Sequence, residues 1–348
     1  MAEVAATGAV FGAALVASGV YQPSVILSQL KWDNYHMLQA FLTATAASSI
    51  ITTAAQKIGY AKFPPRQYAG RGWFAPYDGN IVGGLALGAG MALCGACPGT
   101  VLAQTALNIR SGFYALGGGF IGGTAWAAVL RPSIAKKTAA TKADVADGKA
   151  AAPKQLPTNI QGLLGLSNDA TFVGVELTLA TIVGATVLLF GSGPDAKISP
   201  VLGGLAIGFA QLCSVVLRKS LLGVSTLYED FGDWLLYSTS SSSSSSSSTA
   251  KNTPAINSII FSLGIVAGAK AITLAVPSLG LTPASIAATE SISPAMAMVG
   301  GFTMALGSRI AGGCTSGHGM SGMALFSVSS YITMAMAFVG GGIVAAFL

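Results

Sequence analysis

Apolar stretches of similar length, separated by short polar ones, run through almost the whole chain. A membrane-spanning helix needs about 20 mostly apolar residues. Nine stretches approach that length: residues 4–20, 36–56, 80–97, 112–130, 171–190, 200–217, 256–276, 294–314 and 322–347. We therefore predict an all-α polytopic membrane protein with about nine transmembrane helices.

Four further apolar pieces are too short to cross a membrane, and each follows a predicted span. They contain proline, glycine or a charge and cover residues 23–31, 99–108, 221–228 and 315–321. Irregular backbone is tolerated in a membrane only where protein or water shields its polar groups from lipid. We predict a short re-entrant helix at each of these four positions.

Two distant segments have matching sequences, which indicates an internal repeat. Residues 83–97 align without a gap with residues 300–314, and each copy has spaced glycines and ends in a cysteine. Residues 23–27 align with 213–217 at a smaller offset, and a serine-rich insertion at 238–250 accounts for most of that difference. Each half has four predicted spans, and one span links them. Equivalent positions are therefore separated by an odd number of membrane crossings, so the halves have opposite orientations. Transporters built in this way bind substrate between the halves, near the middle of the membrane.

The repeat divides the chain into four parts. Residues 1–130 form the first half, residues 171–190 a linking transmembrane helix, and residues 191–348 the second half. The segment 131–170 is rich in alanine, lysine, threonine and proline, so it has too little apolar surface to fold on its own. We predict that this segment is a flexible cytoplasmic linker.

Composition and charge agree with a membrane protein and indicate its orientation. Hydrophobic residues make up 52% of the 348 residues and charged residues only 9%, against roughly 25% charged residues in soluble domains. The net charge of +6 comes mostly from two loops, 57–79 and 131–170, so it indicates cytoplasmic loops and not a nucleic-acid partner. We predict an integral protein of the plasma membrane, surrounded by the lipid bilayer, with its N-terminus in the cytoplasm.

The repeated cysteines, Cys97 and Cys314, stand at turns that open toward short helices. Free amide groups and the positive end of the helix dipole favour anions at such turns, and a thiol there offers a soft contact for sulfur. The polar neighbours expected on the same pathway are Thr100, Thr315, Ser316 and His318. Two alternatives stay open: the cysteines are small residues in tight packing, and His318 stabilises its turn through a hydrogen bond.

Two further residues have two interpretations each. Arg309 lies inside a predicted span, where an unpaired charge is costly, so it either holds an anion or forms an ion pair with Glu176. Cys213 either lines the pore or packs in the core.

Cys94 and Cys97 form a Cys-x-x-Cys pair, the spacing of thiol redox and zinc sites. The chain has only two histidines and four cysteines, which leaves a zinc site short of ligands. It also lacks the Gly-x4-Gly-Lys-Ser/Thr phosphate loop of ATPases. We expect no metal, no cofactor and no enzymatic activity. A membrane thiol-disulfide oxidoreductase that uses this pair is one alternative function, and a pore for small neutral solutes is another.

Residues 95–100 read Gly-Ala-Cys-Pro-Gly-Thr, and residues 312–319 read Gly-Gly-Cys-Thr-Ser-Gly-His-Gly. These turns resemble the YeeE/YedE family of sulfur-compound transporters, which includes bacterial thiosulfate importers. The resemblance implies an hourglass-shaped inverted-repeat protein whose cysteines pass thiosulfate along a constriction by weak S–H···S hydrogen bonds. It assigns that role to Cys97 and Cys314.

The resemblance has one departure and several consequences. Bacterial importers of the family have a further cysteine in the first re-entrant segment, whereas residues 19–24 contain none, and Cys213 is the substitute that the other half offers. The serine run and the long linker suggest a eukaryotic member, such as a fungal one. We expect transport of a small sulfur-containing anion, with thiosulfate as the leading substrate. Transport is then passive, ion-coupled or assisted by a cytoplasmic sulfur-accepting partner protein.

Overall fold

The described part of the chain consists of helices and contains no β-strand. The computed structural model describes residues 1–147, 149, 156–193, 197–240 and 253–348. The first half contains α1 (Ala2–Ala17), α2 (Pro23–Leu30), α3 (His36–Lys57), α4 (Asp78–Cys94), α5 (Thr100–Ala106) and α6 (Arg110–Ala125). A π-helical turn, Trp126–Leu130, joins α6 to α7 (Arg131–Ala146), and α8 (Ile160–Leu164) and α9 (Asn168–Phe190) follow.

The second half has a closely similar order of elements. It contains α10 (Pro200–Arg218), α11 (Thr226–Ser240), α12 (Asn257–Ala275), α13 (Pro283–Ser291) and α14 (Pro294–Ala311), then the π-helix Thr315–Gly322 and α15 (Val328–Ala345). Among the described residues, six helical segments are long and apolar enough to cross a membrane: α3, the continuous run from α6 through α7, α9, α10, α12 and α15. Shorter apolar helices, α1 and α4, add to these. The prediction of an all-α polytopic membrane protein is confirmed.

The two halves are related by an approximate two-fold exchange. Helix α4 packs against its repeat counterpart α14, and α1 packs against α10. The other large contacts come in matched pairs: α1 with α12 matches α10 with α3, and α4 with α15 matches α14 with α6. Each pair converts into the other when the halves are exchanged, as a symmetric interface requires.

The direction of the central helix pair shows that the repeat is inverted. Gly83 in α4 lies against Gly307 and Ala311 in α14, whereas Gly90, further along α4, lies against Gly300 and Met304. Residue numbers rise along one helix as they fall along the other, so equivalent helices of the two halves are antiparallel. Glycine has no side chain beyond a hydrogen atom, so the two backbones can approach closely. Such close packing holds helices together in a membrane, because lipid supplies no hydrophobic force between them.

The loops that the charge pattern placed on one side of the membrane do lie at one end of the helix bundle. Lys57 at the end of α3 pairs with Asp169 at 2.8 Å. Tyr60 donates a hydrogen bond to the carbonyl of Val216 near the end of α10. Lys137 in α7 donates to the carbonyl of Gly72 in the loop between α3 and α4.

The predicted linker differs from the expectation in its local structure. Residues 131–146 form the exposed helix α7, and residues 160–164 form α8. Alanine and lysine are good helix formers, so this polar segment is helical without burying a core. Residues 148 and 150–155 of the linker lie outside the described residues.

The earlier pair in the repeat alignment is not a structural pair. Residues 23–27 lie in α2, after the break that follows α1, whereas residues 213–217 lie in α10, before the corresponding break. Gly-Val at 223–224 recurs after α10 as Gly19-Val20 does after α1, so the structural counterpart of residues 23–27 is 227–231. Register along two helices is set by where each helix breaks, which a short apolar match does not reveal.

The predicted re-entrant pieces are helical with one difference in extent. Helices α2 and α5 and the π-helix Thr315–Gly322 match three of them. In the fourth, residues 221–225 are non-helical and α11 starts at Thr226 and runs to Ser240. The serine-rich insertion therefore begins inside a helix, and its residues 241–250 lie outside the described part of the chain.

Candidate functional site

The two repeated cysteines follow helix ends of the same construction. Helix α4 ends at Gly95 (φ 63°) and α14 at Gly312 (φ 86°), both in the left-handed conformation that glycine adopts without strain. Two residues later come Cys97 and Cys314, which are 3% and 0% exposed. The repeated glycine and cysteine therefore form the same kind of turn in both halves.

At the first turn, the Cys97 thiol is held by its neighbour Thr100. The Thr100 amide and hydroxyl donate to the Cys97 sulfur at 3.4 and 3.3 Å. The Cys97 amide donates back to Thr100 Oγ1 at 2.7 Å. The first amide of α5 therefore faces the sulfur, and the next one, that of Val101, donates to the Cys97 carbonyl at 3.0 Å.

At the second turn, the Cys314 thiol is surrounded by hydrogen-bond donors from two segments. The Ser316 hydroxyl lies 3.3 Å from the sulfur. The backbone amides of Gly317, Val224 and Ser225 also face it. The last two come from the break between α10 and α11, so one re-entrant turn completes the donor set of the other.

The break between α10 and α11 also connects the two cysteine turns. The Val224 side chain packs against Gly99, two residues after Cys97, while its amide faces Cys314. Tyr228 donates to the Pro98 carbonyl at 3.2 Å and lies close enough to both thiols to interact with them electrostatically. Cys97 and Cys314 belong to one buried cluster with Val224 and Tyr228. The structure therefore brings together the two cysteines that the repeat predicted.

A cavity of about 190 Å³ adjoins both turns and lies between the halves. Its wall is almost entirely apolar and rich in sulfur, with lining residues that include Cys97, Thr315, Met37, Met91, Met323 and Met334. Thr315 is 5% exposed, and its buried hydroxyl has no hydrogen-bond partner among the residues that the structure describes. Buried polar groups are normally paired, so this hydroxyl is available to a ligand in the cavity.

His318 fits the alternative in which it stabilises its turn. Its Nε2 lies 3.2 Å from the Ala311 carbonyl, and its Nδ1 lies 2.9 Å from the Ser330 hydroxyl. A carbonyl can only accept, so Nε2 carries the hydrogen and Nδ1 accepts from Ser330. Both ring nitrogens are in use.

Arg309 forms an ion pair, but with a different partner from the expected one. It pairs with Glu229 of α11, and its Nη1 also lies 3.4 Å from Ser225 Oγ. Glu176, which lies on the outer helix α9, instead accepts a hydrogen bond from Ser49 of α3. The alternative in which Arg309 pairs with Glu176 was wrong, because α9 lies on the periphery, whereas α11 lies beside α14.

Glu229 belongs to a larger charged network at this end of the bundle. Arg131, at the start of α7, pairs with Glu229 at 2.8 Å and with Asp233 at 2.5 Å. Through Glu229 the network reaches Arg309 and Ser225, the residue whose amide faces Cys314. Glu229 was not predicted as a partner, because it lies just beyond the predicted short apolar piece 221–228 and is distant in sequence from Arg309.

The remaining cysteines lie apart from the two turns in different ways. Cys94 is buried where α4 meets Gly300 of α14, and its thiol donates to the Ala96 carbonyl at 3.6 Å. Cys213 is partly exposed in the body of α10 and is not among the residues that line the cavity. Within the described residues, no three His, Cys, Asp or Glu side chains cluster as metal ligands would.

An inverted repeat of transmembrane helices, with broken helices and donor-lined turns at the interface, defines an integral membrane transport protein. Comparison with known proteins agrees. The sequence model of the family described as "Sulphur transport" matches residues 17–343, and the chain belongs to that family. It is also similar to a probable transporter of Xylella fastidiosa, with 28% identity over 149 residues, which cover 43% of this chain and 93% of the relative. The protein therefore transports a sulfur compound across a membrane and is not an enzyme.

Proposed function

We propose that the protein is a permease for a small sulfur-containing anion, with thiosulfate as the leading substrate, and that the anion passes between Cys97 and Cys314. The observation that carries the proposal is the meeting of the two turns across Val224. Val224 faces Cys314 through its amide and Gly99, two residues after Cys97, through its side chain, which supports a shared pathway for two thiols that are 217 positions apart in the chain.

The chemistry of the two turns suits such a substrate. An anion that leaves water needs charge-matched donors in place of its hydration shell, and amides at helix starts supply them. Thiosulfate carries oxygen atoms that accept from amides and hydroxyls, and a terminal sulfur that makes a soft contact with a thiol. Cys97 with Thr100, and Cys314 with Ser316 and Thr315, would be its successive contacts.

The orientation that fits this proposal has the loops around Lys57 and Arg131, and the N-terminus, in the cytoplasm of a plasma-membrane protein. Its support is the concentration of basic residues at that end of the bundle, which is characteristic of the cytoplasmic side. The Cys314 turn then lies nearer the cytoplasm and the Cys97 turn nearer the outside. A soluble sulfur-accepting protein would collect the substrate at the cytoplasmic end.

Uptake of ³⁵S-labelled thiosulfate into cells that lack their own importer tests the proposal. We expect Cys97→Ala and Cys314→Ala each to lower uptake at least tenfold. Cys94→Ala and Cys213→Ala are matched controls and should retain more than half of it, with expression measured for all four. Normal uptake by Cys314→Ala would overturn the cysteine pathway. Loss of uptake in Cys94→Ala alone would favour the thiol redox alternative.

Competition separates the substrate classes. Excess unlabelled thiosulfate should abolish uptake of the label, whereas equal concentrations of sulfate or glycerol should not. Equal competition by glycerol would indicate a pore for neutral solutes.

A further inference from the structure

Arg66, from the loop between α3 and α4, reaches into the Cys314 turn of the other half. Its Nη1 donates to the Gly312 carbonyl at 2.9 Å. The guanidinium packs directly against Gly313 and Gly317, and it is close enough to Cys314 to interact with it electrostatically. A side chain larger than hydrogen at either glycine would collide with the guanidinium or the adjacent ring of His318.

The backbone around Arg66 is fixed, so the side chain is directed into the turn. The Arg66 carbonyl accepts hydrogen bonds from the hydroxyls of Ser327 and Ser329 at 2.8 and 3.2 Å. A little further along, the Ala69 amide donates to Asn80 Oδ1 at 2.8 Å. These anchors come from the start of α15 and from α4, the elements that flank the turn.

The charge of Arg66 is not neutralised by an acidic side chain. Nearby Arg309 pairs with Glu229, and Arg71 donates to the carbonyl of Ile310 and stacks on Trp126. Arg66 takes part in none of the ion pairs among the described residues. Its Nη2 faces Gly317, whose amide faces Cys314, and makes no hydrogen bond within the described part of the chain. Arg66 therefore keeps a free N–H donor directed at the Cys314 turn.

The equivalent contact in the first half is apolar. Arg66 binds Gly312 at the second-half turn, whereas the matching glycine, Gly95, is contacted by the side chain of Ile292 from the loop before α14 and by Pro23. Gln22, which precedes Pro23, is neutral, and its Oε1 accepts from the hydroxyls of Thr282 and Ser285 at 2.8 and 3.0 Å. A general need of the repeated turn therefore does not explain Arg66.

We propose that Arg66 is a substrate-binding residue. Its guanidinium binds the oxygen atoms of a sulfur oxyanion, while the terminal sulfur of the same anion contacts Cys314. The position of Arg66 over the turn also makes it the last contact before release at that end of the bundle. Thr315, with its unpaired buried hydroxyl, contributes a neutral donor on the cavity side. This assignment rests on the proposed function and adds the charged component that the two cysteines lack.

A structural role for Arg66, capping the end of α14 through Gly312, is the competing explanation. The variant Arg66→Gln distinguishes the two, because glutamine keeps an N–H donor but removes the charge. Arg66→Lys keeps the charge without the planar fork that binds two oxygens at once. Lys62→Gln removes an exposed cation from the same loop and is the matched control.

The test is modification of Cys314 by methanethiosulfonate reagents of similar size but opposite charge, in full-length protein with the other three cysteines changed to alanine. Arg66→Gln should lower the ratio of anionic to cationic modification rates at least about tenfold, since a guanidinium a few ångströms away attracts the anionic reagent and repels the cationic one. Arg66→Lys should keep most of the ratio, and Lys62→Gln should leave it within twofold.

Transport measurements separate the failure of this inference from that of the proposed function. In the four-cysteine protein, Arg66→Gln should raise the KM for thiosulfate at least fivefold, with unchanged thermal stability. A normal modification ratio and a normal KM in Arg66→Gln, alongside cysteine-dependent uptake, would overturn the role of Arg66 alone. A lowered ratio in a protein that does not take up thiosulfate would support the anion site and reject thiosulfate as the substrate.

Discussion

The two cysteine turns have the same backbone and different polar surroundings. At both, a left-handed glycine ends a helix, a cysteine follows two residues later, and the amide three residues beyond the cysteine faces its sulfur. Around Cys97 the partners are neutral, whereas around Cys314 they include Arg66 and the Arg309–Glu229 pair. Duplication therefore kept the geometry that presents the thiol and changed the charge around it.

A second matched contact supports this distinction. Seven residues after Cys97, Gln104 donates to the carbonyl of Tyr21 at 2.9 Å. Seven residues after Cys314, Ser321 donates to the carbonyl of Leu222 at 2.7 Å. Both bonds tie the short helix to the re-entrant break of its own half, although the side chains differ. The cysteine turns are therefore held in the same way in both halves, although the short helices that follow the cysteines differ, α-helical in α5 and π-helical in Thr315–Gly322.

The largest expected effect tests the symmetric part. A Cβ on Gly90 would lie 2.3 Å from the Met304 amide, and one on Gly307 would lie 2.5 Å from the Leu87 amide. Gly90→Val and Gly307→Val should therefore each separate α4 from α14 and cost more than about 3 kcal/mol of stability. Thermal unfolding in detergent measures this cost. Gly184→Val, where the added atom meets nothing within 4 Å, is the control. A large difference between the first two variants would contradict the symmetric interface.

The next effect tests the charge difference between the halves. Glu229→Gln leaves the largely buried Arg309 without its carboxylate and should destabilise the protein by about 3 kcal/mol. Gln22→Met removes only a neutral acceptor and should cost about 1–2 kcal/mol. Both are read as shifts of the unfolding midpoint.

A double variant provides the control for that comparison. Arg309→Met combined with Glu229→Gln removes the stranded charge and should recover part of the loss. If Gln22→Met were the more damaging single variant, the second half would not depend on its ion pair as described.

The smallest effect compares the hydroxyls at the two turns. Thr100→Val removes both hydroxyl bonds around Cys97 and should cost about 1 kcal/mol, seen as a three- to tenfold loss of uptake. Ser316→Ala removes one of four donors around Cys314, so uptake should fall less than threefold. Initial rates of labelled thiosulfate uptake, corrected for expression, decide this order, and the reverse order would show that Ser316 is the essential donor.

Several features of this protein were predictable from local sequence. The apolar stretches predicted the helices because burial in lipid requires length and hydrophobicity, which composition shows directly. The gap-free match of residues 83–97 with 300–314 predicted the pairing of Cys97 and Cys314, because equivalent positions of an inverted repeat can meet at its interface. The concentration of basic residues predicted which loops share one end of the bundle.

The errors share one cause, since each concerned a feature of the three-dimensional arrangement: where a helix breaks, or which segments lie next to each other. The match of residues 23–27 with 213–217 had the right composition but compared segments on opposite sides of a helix break. The charge of Arg309 indicated an ion-pair partner inside the protein. The sequence does not show that Glu176 lies on α9, outside the bundle, and therefore cannot be that partner. Arg66 was counted as a loop charge, and nothing in its sequence context shows that serines at the start of α15 direct it toward Cys314.

The sequence by itself determined the class of protein, its helices, its duplication and the two repeated thiol turns. These follow from hydrophobicity, glycine spacing and internal identity, which are properties of contiguous segments. Only the tertiary structure decided that Val224 bridges the turns, that Glu229 neutralises Arg309, and that Arg66 lies beside Cys314 without an ion-pair partner in the described part of the chain. Each of these joins segments from different parts of the chain, and such contacts are fixed by the packing of the two halves against one another.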